Sequence, residues 1–69
     1  MAIDDLDNRF TYHVPKDGQA ARYTELRDHA NELAHHIDRE VPDSREKSLS
    51  ITALEECVMW ANAGIARNE

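Results

Sequence analysis

The sequence predicts an all-α protein, in which an N-terminal arm precedes an antiparallel two-helix hairpin and the hairpins assemble into a homo-oligomer. Two segments carry apolar residues at helical spacing, which predicts two amphipathic helices. A proline between them predicts the tight connection of a hairpin. The second helix has more apolar surface than one neighbour can cover, and a chain of 69 residues seldom buries enough surface alone. These observations together predict the oligomer.

Residues 1–18 form the predicted arm of this single domain. Pro15, Gly18 and the acidic start favour a loop that leads into a helix. The start carries aspartates where a signal peptide would carry lysines, and no apolar run approaches the ~18 residues of a membrane span. We therefore expect a soluble, intracellular protein with no membrane partner.

The first long helix is predicted over residues 19–41. Its apolar positions recur at intervals of 3, 4, 3 and 4 residues, with charged residues on the opposite face: Tyr23, Leu26, Ala30, Leu33 and Ile37. Such spacing is typical of an amphipathic helix, here ~30 Å long.

Pro42 ends this helix, and the second long helix is predicted over residues 44–67. Asp43 or Ser44 can cap its N-terminus, and Glu46 lies three residues after Asp43, which matches a capping box.

Two apolar stripes run along the second helix. The first contains Ile51, Leu54, Val58, Ala61 and Ile65. The second contains Leu49, Ala53, Cys57, Trp60 and Gly64. Because packing against one neighbouring helix needs an apolar arc of only about 100°, the second stripe predicts contact with partner chains. We expect Leu54, Val58 and Trp60 to be buried in helix packing.

The single cysteine, Cys57, excludes a disulfide framework. A reactive thiol would need an electropositive setting, and the sequence around Cys57 shows none. Its position on an apolar face instead favours a role as a small hydrophobic residue.

The charge distribution bears on the ligand. A net charge of −6 argues against DNA or RNA as partners, because they need a basic surface. Residues 9–27, however, carry four cations and two acids, a local charge of +2: Arg9, Lys16, Arg22 and Arg27 against Asp17 and Glu25. The rings of Tyr12, His13 and Tyr23 lie among these cations, which suits a ligand with phosphates and bases. Ordinary core packing of Tyr23 and helical ion pairs of the arginines would explain the same pattern.

A catalytic or metal site has one candidate, the triplet His29, Glu32 and His36, which shares one helical face. A tetrahedral metal site would need a further ligand, and a solvated helix face explains the same residues. The sequence offers no nucleophile–base pair, Gly-rich phosphate loop or paired carboxylates. We therefore expect a protein that is not an enzyme and that holds no metal and no cofactor.

Several runs of residues are specific enough to compare with known families. They are YHVPK at 12–16, Arg22-Tyr23, Leu26-Arg27, PDSREKSL at 42–49 and LEECVMWANAGIARN at 54–68. Together these runs resemble the phage anti-CBASS cyclic-nucleotide sponge family, the second such family described. The resemblance covers nearly the whole chain and is most specific in its C-terminal part.

The resemblance implies a helical-hairpin domain, shared with some anti-Thoeris sponges, that assembles into a compact hexamer. Such a protein works in the host bacterial cytoplasm, where it binds cyclic oligonucleotide messengers without cleaving them and so starves the effector of its signal. It also implies that cyclic dinucleotides lie between protomers, and that some members hold cyclic trinucleotides at separate sites.

The resemblance also implies site residues. The arm tyrosine that contacts the ligand corresponds best to Tyr12, and the cation of the first helix corresponds to Arg27, where some relatives have lysine. Arginine can bind a phosphate with two parallel hydrogen bonds, whereas lysine acts as a point charge. Further candidates are His13, Lys16, Arg22 and Arg67. Arg67 is equally explained as a cation that the C-terminus of a helix favours.

A different class of function also fits the apolar surplus. A small helical adaptor could oligomerise, or dock its second helix on a host protein, with no nucleotide ligand. The arm's cations and rings favour the sponge, because an adaptor would not need them.

Overall fold

The computed structural model describes residues 3–69, with side chains from residue 5 onward, as three α-helices. They are α1 (Ile3–Phe10), α2 (Gln19–Glu40) and α3 (Arg45–Asn68). These residues contain no strand, which confirms the all-α class. The sequence analysis placed the long helices at 19–41 and 44–67, and the first two residues of its arm lie outside the described part.

The structure differs from the prediction in the arm, where α1 replaces part of the expected loop. Eight residues are too few for a stable isolated helix in water, so periodicity gave little sign of it. Arg9 and Asp5 pair one turn apart at 3.7 Å. The Asn8 side-chain amide donates to the backbone carbonyl of Arg67 in α3 at 3.2 Å. This contact, distant in sequence, helps to hold the short helix in place.

Backbone geometry explains where α2 begins and ends. Gly18 precedes the helix with φ of +82°, in the left-handed region that favours glycine. At the other end the Val41 N–H donates to the Ile37 carbonyl at 2.9 Å. Pro42 follows directly, and it disfavours a helical conformation for Val41, which is extended.

The cap of α3 is Ser44, one of the two residues that the sequence allowed. Its hydroxyl accepts a hydrogen bond from the Lys47 backbone N–H at 3.1 Å. With Ser44 as the cap, the third helical residue is Lys47 and not Glu46. The predicted capping box of Asp43 and Glu46 was therefore wrong, because it requires the acid at the third position.

Contacts at both ends of the α2–α3 pair show the relative direction of the two helices. Gln19, which begins α2, bonds to Glu69 just beyond α3, at 3.3 Å. Asp38, near the end of α2, pairs with Lys47 in the first turn of α3 at 2.8 Å. The two packed helices therefore run in opposite directions.

The two stripes of α3 have different surroundings. Every residue of the first stripe is partly buried: Ile51, Leu54, Val58, Ala61 and Ile65. Every residue of the second stripe is exposed: Leu49, Ala53, Cys57, Trp60 and Gly64. The Trp60 side chain is 62% exposed, so its expected burial does not occur within a single chain.

The chain forms a layer about one helix thick. It measures 45 × 29 × 13 Å, and a helix with its side chains is ~10–12 Å across. Gln19, 4% exposed, is the one buried residue in the described part, and no apolar side chain there is buried. A layer this thin has no interior, so its apolar residues stay partly or wholly in contact with solvent.

Lys47 joins the ends of α2 and α3. Its ammonium donates to the Asp38 carbonyl oxygen at 2.9 Å, and it pairs with the carboxylates of Asp38 and Asp43 at 2.8 and 2.9 Å. Hydrogen bonds to Asp38 and Asp43 raise the pKa of Lys47. The hydrogen bond from Lys47 and its positive charge lower the pKa of Asp38 below its ordinary 3.8.

Lys47→Met should lower the melting temperature at neutral pH and make it less sensitive to acid. A carboxylate with a lowered folded-state pKa stabilises the protein above its unfolded pKa, and this contribution is lost as the pH falls through the folded-state pKa. Thermal melts between pH ~7 and ~3, at one protein concentration, would measure the effect, which should be small because both carboxylates are exposed. Lys47→Arg keeps the charge and should keep the acid sensitivity. Equal acid sensitivity in K47M and wild type would contradict the assignment.

Candidate ligand-binding site

Two of the predicted site residues, Lys16 and Arg22, meet at Glu69, where the start of α2 lies beside the end of α3. The Arg22 guanidinium pairs with the Glu69 carboxylate at 2.8 Å. The Lys16 ammonium donates to the backbone carbonyl oxygen of Glu69. The carboxylate raises the pKa of Arg22, and the Arg22 hydrogen bond lowers the pKa of Glu69. We call Lys16, Gln19 and Arg22 the basal cluster.

Gln19 organises this cluster from its buried position. Its side-chain oxygen accepts from the Lys16 backbone N–H at 2.9 Å and lies 3.5 Å from the Tyr23 hydroxyl. Its side-chain nitrogen donates to the Glu69 carboxylate. Gln19 is not among the site residues predicted from the sequence, because a polar residue between Gly18 and two alanines carries no signal of burial.

His13 and Arg67 both contact α1. His13 Nε2 donates to the Asn8 carbonyl oxygen at 2.8 Å, which requires a proton on that nitrogen because a carbonyl only accepts. Arg67 contacts the Arg9 carbonyl at 3.5 Å, while its own carbonyl accepts from Asn8. His13 therefore ties the end of the arm back to α1, and Arg67 helps to hold α1 against α3.

Tyr12 lies on the exposed part of the arm. Its side chain is 82% exposed, and its neighbours Phe10 and Val14 are 81% and 71% exposed. A ring in this position can stack on a ligand or contact another chain without first leaving a packed site.

Arg27 is separate from the basal cluster. It lines a groove of about 430 Å³ between α2 and α3, together with Asn31, Glu55, Met59 and Asn62. The Asn62 side-chain oxygen is buried and has no hydrogen-bond partner among the described residues. A buried acceptor of this kind normally has a donor.

The structure thus distributes the six predicted residues over four places. Lys16 and Arg22 share the basal cluster, and His13 and Arg67 both contact α1. Tyr12 stands on the exposed arm, and Arg27 lines the groove between α2 and α3.

The triplet His29, Glu32 and His36, which the sequence analysis weighed as a metal site and set aside, is not arranged to hold a metal ion in the described residues. His29 lies 3.8 Å from Glu25, and both side chains are 72% exposed. No group of three or more His, Cys, Asp or Glu residues in residues 3–69 is arranged to hold a metal ion. None of the helices described there is long and apolar enough to cross a membrane.

Comparison with known proteins identifies the family. A family model described as Acb2/Tad1, hairpin domain matches residues 1–66, which contain Tyr12, Arg27 and the basal cluster. Searches of curated proteins and of solved structures found no match. A family match over almost the whole chain shows membership, and it agrees with the resemblance seen in the sequence. The chain belongs to the Acb2/Tad1 hairpin-domain family, the family of the anti-CBASS sponges.

Proposed function

We propose that this chain is a phage-encoded immune-evasion protein that sequesters cyclic oligonucleotide messengers in the host bacterial cytoplasm without cleaving them. Its ligands are cyclic dinucleotides, with cyclic trinucleotides at separate sites as in some family members. Sequestration keeps a CBASS effector inactive. The observation that carries the proposal is the family match over residues 1–66, because a small helical fold alone is compatible with many functions.

The working form in this proposal is a homo-oligomer, and by resemblance a hexamer. Support comes from the exposed second stripe of α3 and from the absence of a buried apolar side chain in the described part of a single chain. Apolar area removed from water stabilises an assembly by roughly 25 cal/mol per Å². A layer one helix thick also cannot enclose a dinucleotide, so the pocket forms where chains meet.

Tyr12 and Arg27 are the principal ligand contacts in this proposal. The exposed Tyr12 ring offers a stacking face, and the Arg27 guanidinium can bind a phosphate through two parallel hydrogen bonds. Lys16, Arg22, His13 and Arg67 already have partners in a single chain. They would reach a ligand only by exchanging those partners.

Substitutions on the two stripes of α3 should fail in different ways. Trp60→Glu should give a folded, smaller species, because it places a charge on the exposed stripe without touching α2. Leu54→Asp should instead unfold or aggregate the protein, because Leu54 packs against α2. Light scattering and circular dichroism would distinguish these outcomes.

His35→Glu is a matched control for Trp60→Glu, since it adds the same charge at an exposed position of α2. It should leave the assembly intact. A wild-type chain that light scattering showed to be a stable monomer would contradict both the packing argument and the shared pocket.

Tyr12→Ala should weaken binding of a cyclic dinucleotide by ~1–3 kcal/mol, because it removes a stacking face. Arg27→Ala should cost ~1.5–3 kcal/mol and reduce the salt dependence, because it removes a charge-assisted phosphate contact. His29→Ala, on an exposed face of α2, should be close to neutral. Calorimetry at two salt concentrations would measure all three. Wild-type affinity in both Tyr12→Ala and Arg27→Ala, with the oligomer intact, would place the site elsewhere.

Binding should be reversible and should leave the ligand intact. Members of a panel of cyclic dinucleotides should raise the melting temperature of the wild-type protein, because a ligand of the folded state stabilises it. Heat denaturation followed by chromatography should then return the cyclic compound. Recovery of linear nucleotide would reveal an enzyme, whereas no shift with any cyclic oligonucleotide would favour the adaptor.

A further inference from the structure

The basal cluster already holds an anion. The Glu69 carboxylate accepts from the Arg22 guanidinium at 2.8 Å and from the Gln19 side-chain amide at 3.3 Å. Both donors point at one carboxylate oxygen. A phosphate oxygen can accept hydrogen bonds from the same pair of donors, one charged and one neutral.

Gln19, one of these two donors, is held in place by a second contact. It is the one buried residue of the described part, and the Lys16 backbone N–H bonds to its side-chain oxygen at 2.9 Å. Its side-chain nitrogen is therefore left to face the carboxylate. Lys16 stands at the same position through its bond to the Glu69 backbone carbonyl. The Gln19 amide is thus oriented by a contact that does not involve the Glu69 carboxylate, whereas the Arg22 guanidinium is held by that carboxylate itself.

We propose that the basal cluster is a phosphate-binding site and that the Glu69 carboxylate occupies it in the free chain as an internal competitor. An incoming phosphate takes the carboxylate's place on Arg22 and Gln19. The inference rests on the proposed function for the identity of the natural ligand. It adds a second phosphate site, distinct from Arg27, at which the Glu69 carboxylate competes with the ligand.

Exposure allows this exchange without unfolding. The Arg22 and Glu69 side chains are 51% and 42% exposed, so an anion can approach from solvent. Glu69 lies just beyond the last turn of α3, where its side chain can swing away while the helix stays in place. An exposed ion pair of this kind contributes little stability, so a phosphate can compete with it.

The site matters because the chain is acidic. With a net charge of −6, the protein repels anions in general, and a local cation left without a counter-ion would attract any small anion in the cell. An internal carboxylate lowers the affinity for weak, singly charged anions. A phosphate that is also held elsewhere, as in a polyvalent ligand, displaces it more readily.

Glu69→Gln removes the competing charge and keeps the shape of the side chain. Isothermal titration with inorganic pyrophosphate should show about two- to fivefold tighter binding than wild type, the range expected for loss of an exposed ion pair. Glu40→Gln is the matched control, because it changes the net charge equally at the far end of α2, and it should bind pyrophosphate like wild type. Arg22→Gln added to Glu69→Gln should abolish the gain.

Two results would overturn the proposal: Glu69→Gln binding pyrophosphate no more tightly than Glu40→Gln, or a gain that persists in the Arg22→Gln, Glu69→Gln double variant. A parallel titration with the cyclic dinucleotide panel separates this inference from the sponge function. If pyrophosphate follows the expected pattern and no cyclic dinucleotide binds any variant, the site stands and the proposed function fails. If cyclic dinucleotides bind wild type and Glu69→Gln leaves the affinity for pyrophosphate unchanged, the proposed function stands and competition by Glu69 is refuted.

Discussion

The absence of a buried apolar side chain among residues 5–69 is the constraint on which the rest of this structure depends. Packing α3 against α2 partly covers one stripe, which includes Leu54 and Val58, and leaves Trp60 on the other stripe 62% exposed. Burial of apolar surface is the main favourable contribution to folding, and a layer one helix thick achieves little of it. In our proposal, other copies of the chain supply the missing burial. In our proposal the same contacts that complete the fold also build the binding pocket.

Polar contacts concentrate at the two ends of the α2–α3 pair, where they replace some of what a core would supply. Lys47 joins the helices at one end, and Gln19 with Glu69 joins them at the other. These ends differ in what they can do. The Lys47 ammonium is paired with two aspartates, Asp38 of α2 and Asp43 of the connection, whereas the opposite end brings the cations of Arg22 and Lys16 together at Glu69. In our proposal, the basal cluster, which joins the two helices at this end, also serves as an anion site.

The sequence by itself determined the helical class and the faces of α3. Helical periodicity is a local property, and an apolar residue every three or four positions carries it without knowledge of the neighbours. It identified the partly buried stripe and also the stripe that a single chain leaves exposed. Family membership likewise came from the residues, since long specific runs such as 54–68 do not recur by chance, and the family match confirms it. Charge patterning also singled out Lys16 and Arg22 as cations of one segment, without showing what they contact.

Only the tertiary structure decided the features that depend on contacts between distant residues. The short helix α1 is marginal alone and is held by Asn8, 59 positions from its partner in α3. Ser44 and Asp43 are both good capping residues, so local preference does not decide between them. The structure decides, because α3 begins at Arg45 and Ser44 therefore takes the cap position. The pairing of Arg22 with Glu69 spans 47 positions. Periodicity and propensity describe neighbours along the chain, so they cannot report which side chains the packing of α2 on α3 brings face to face.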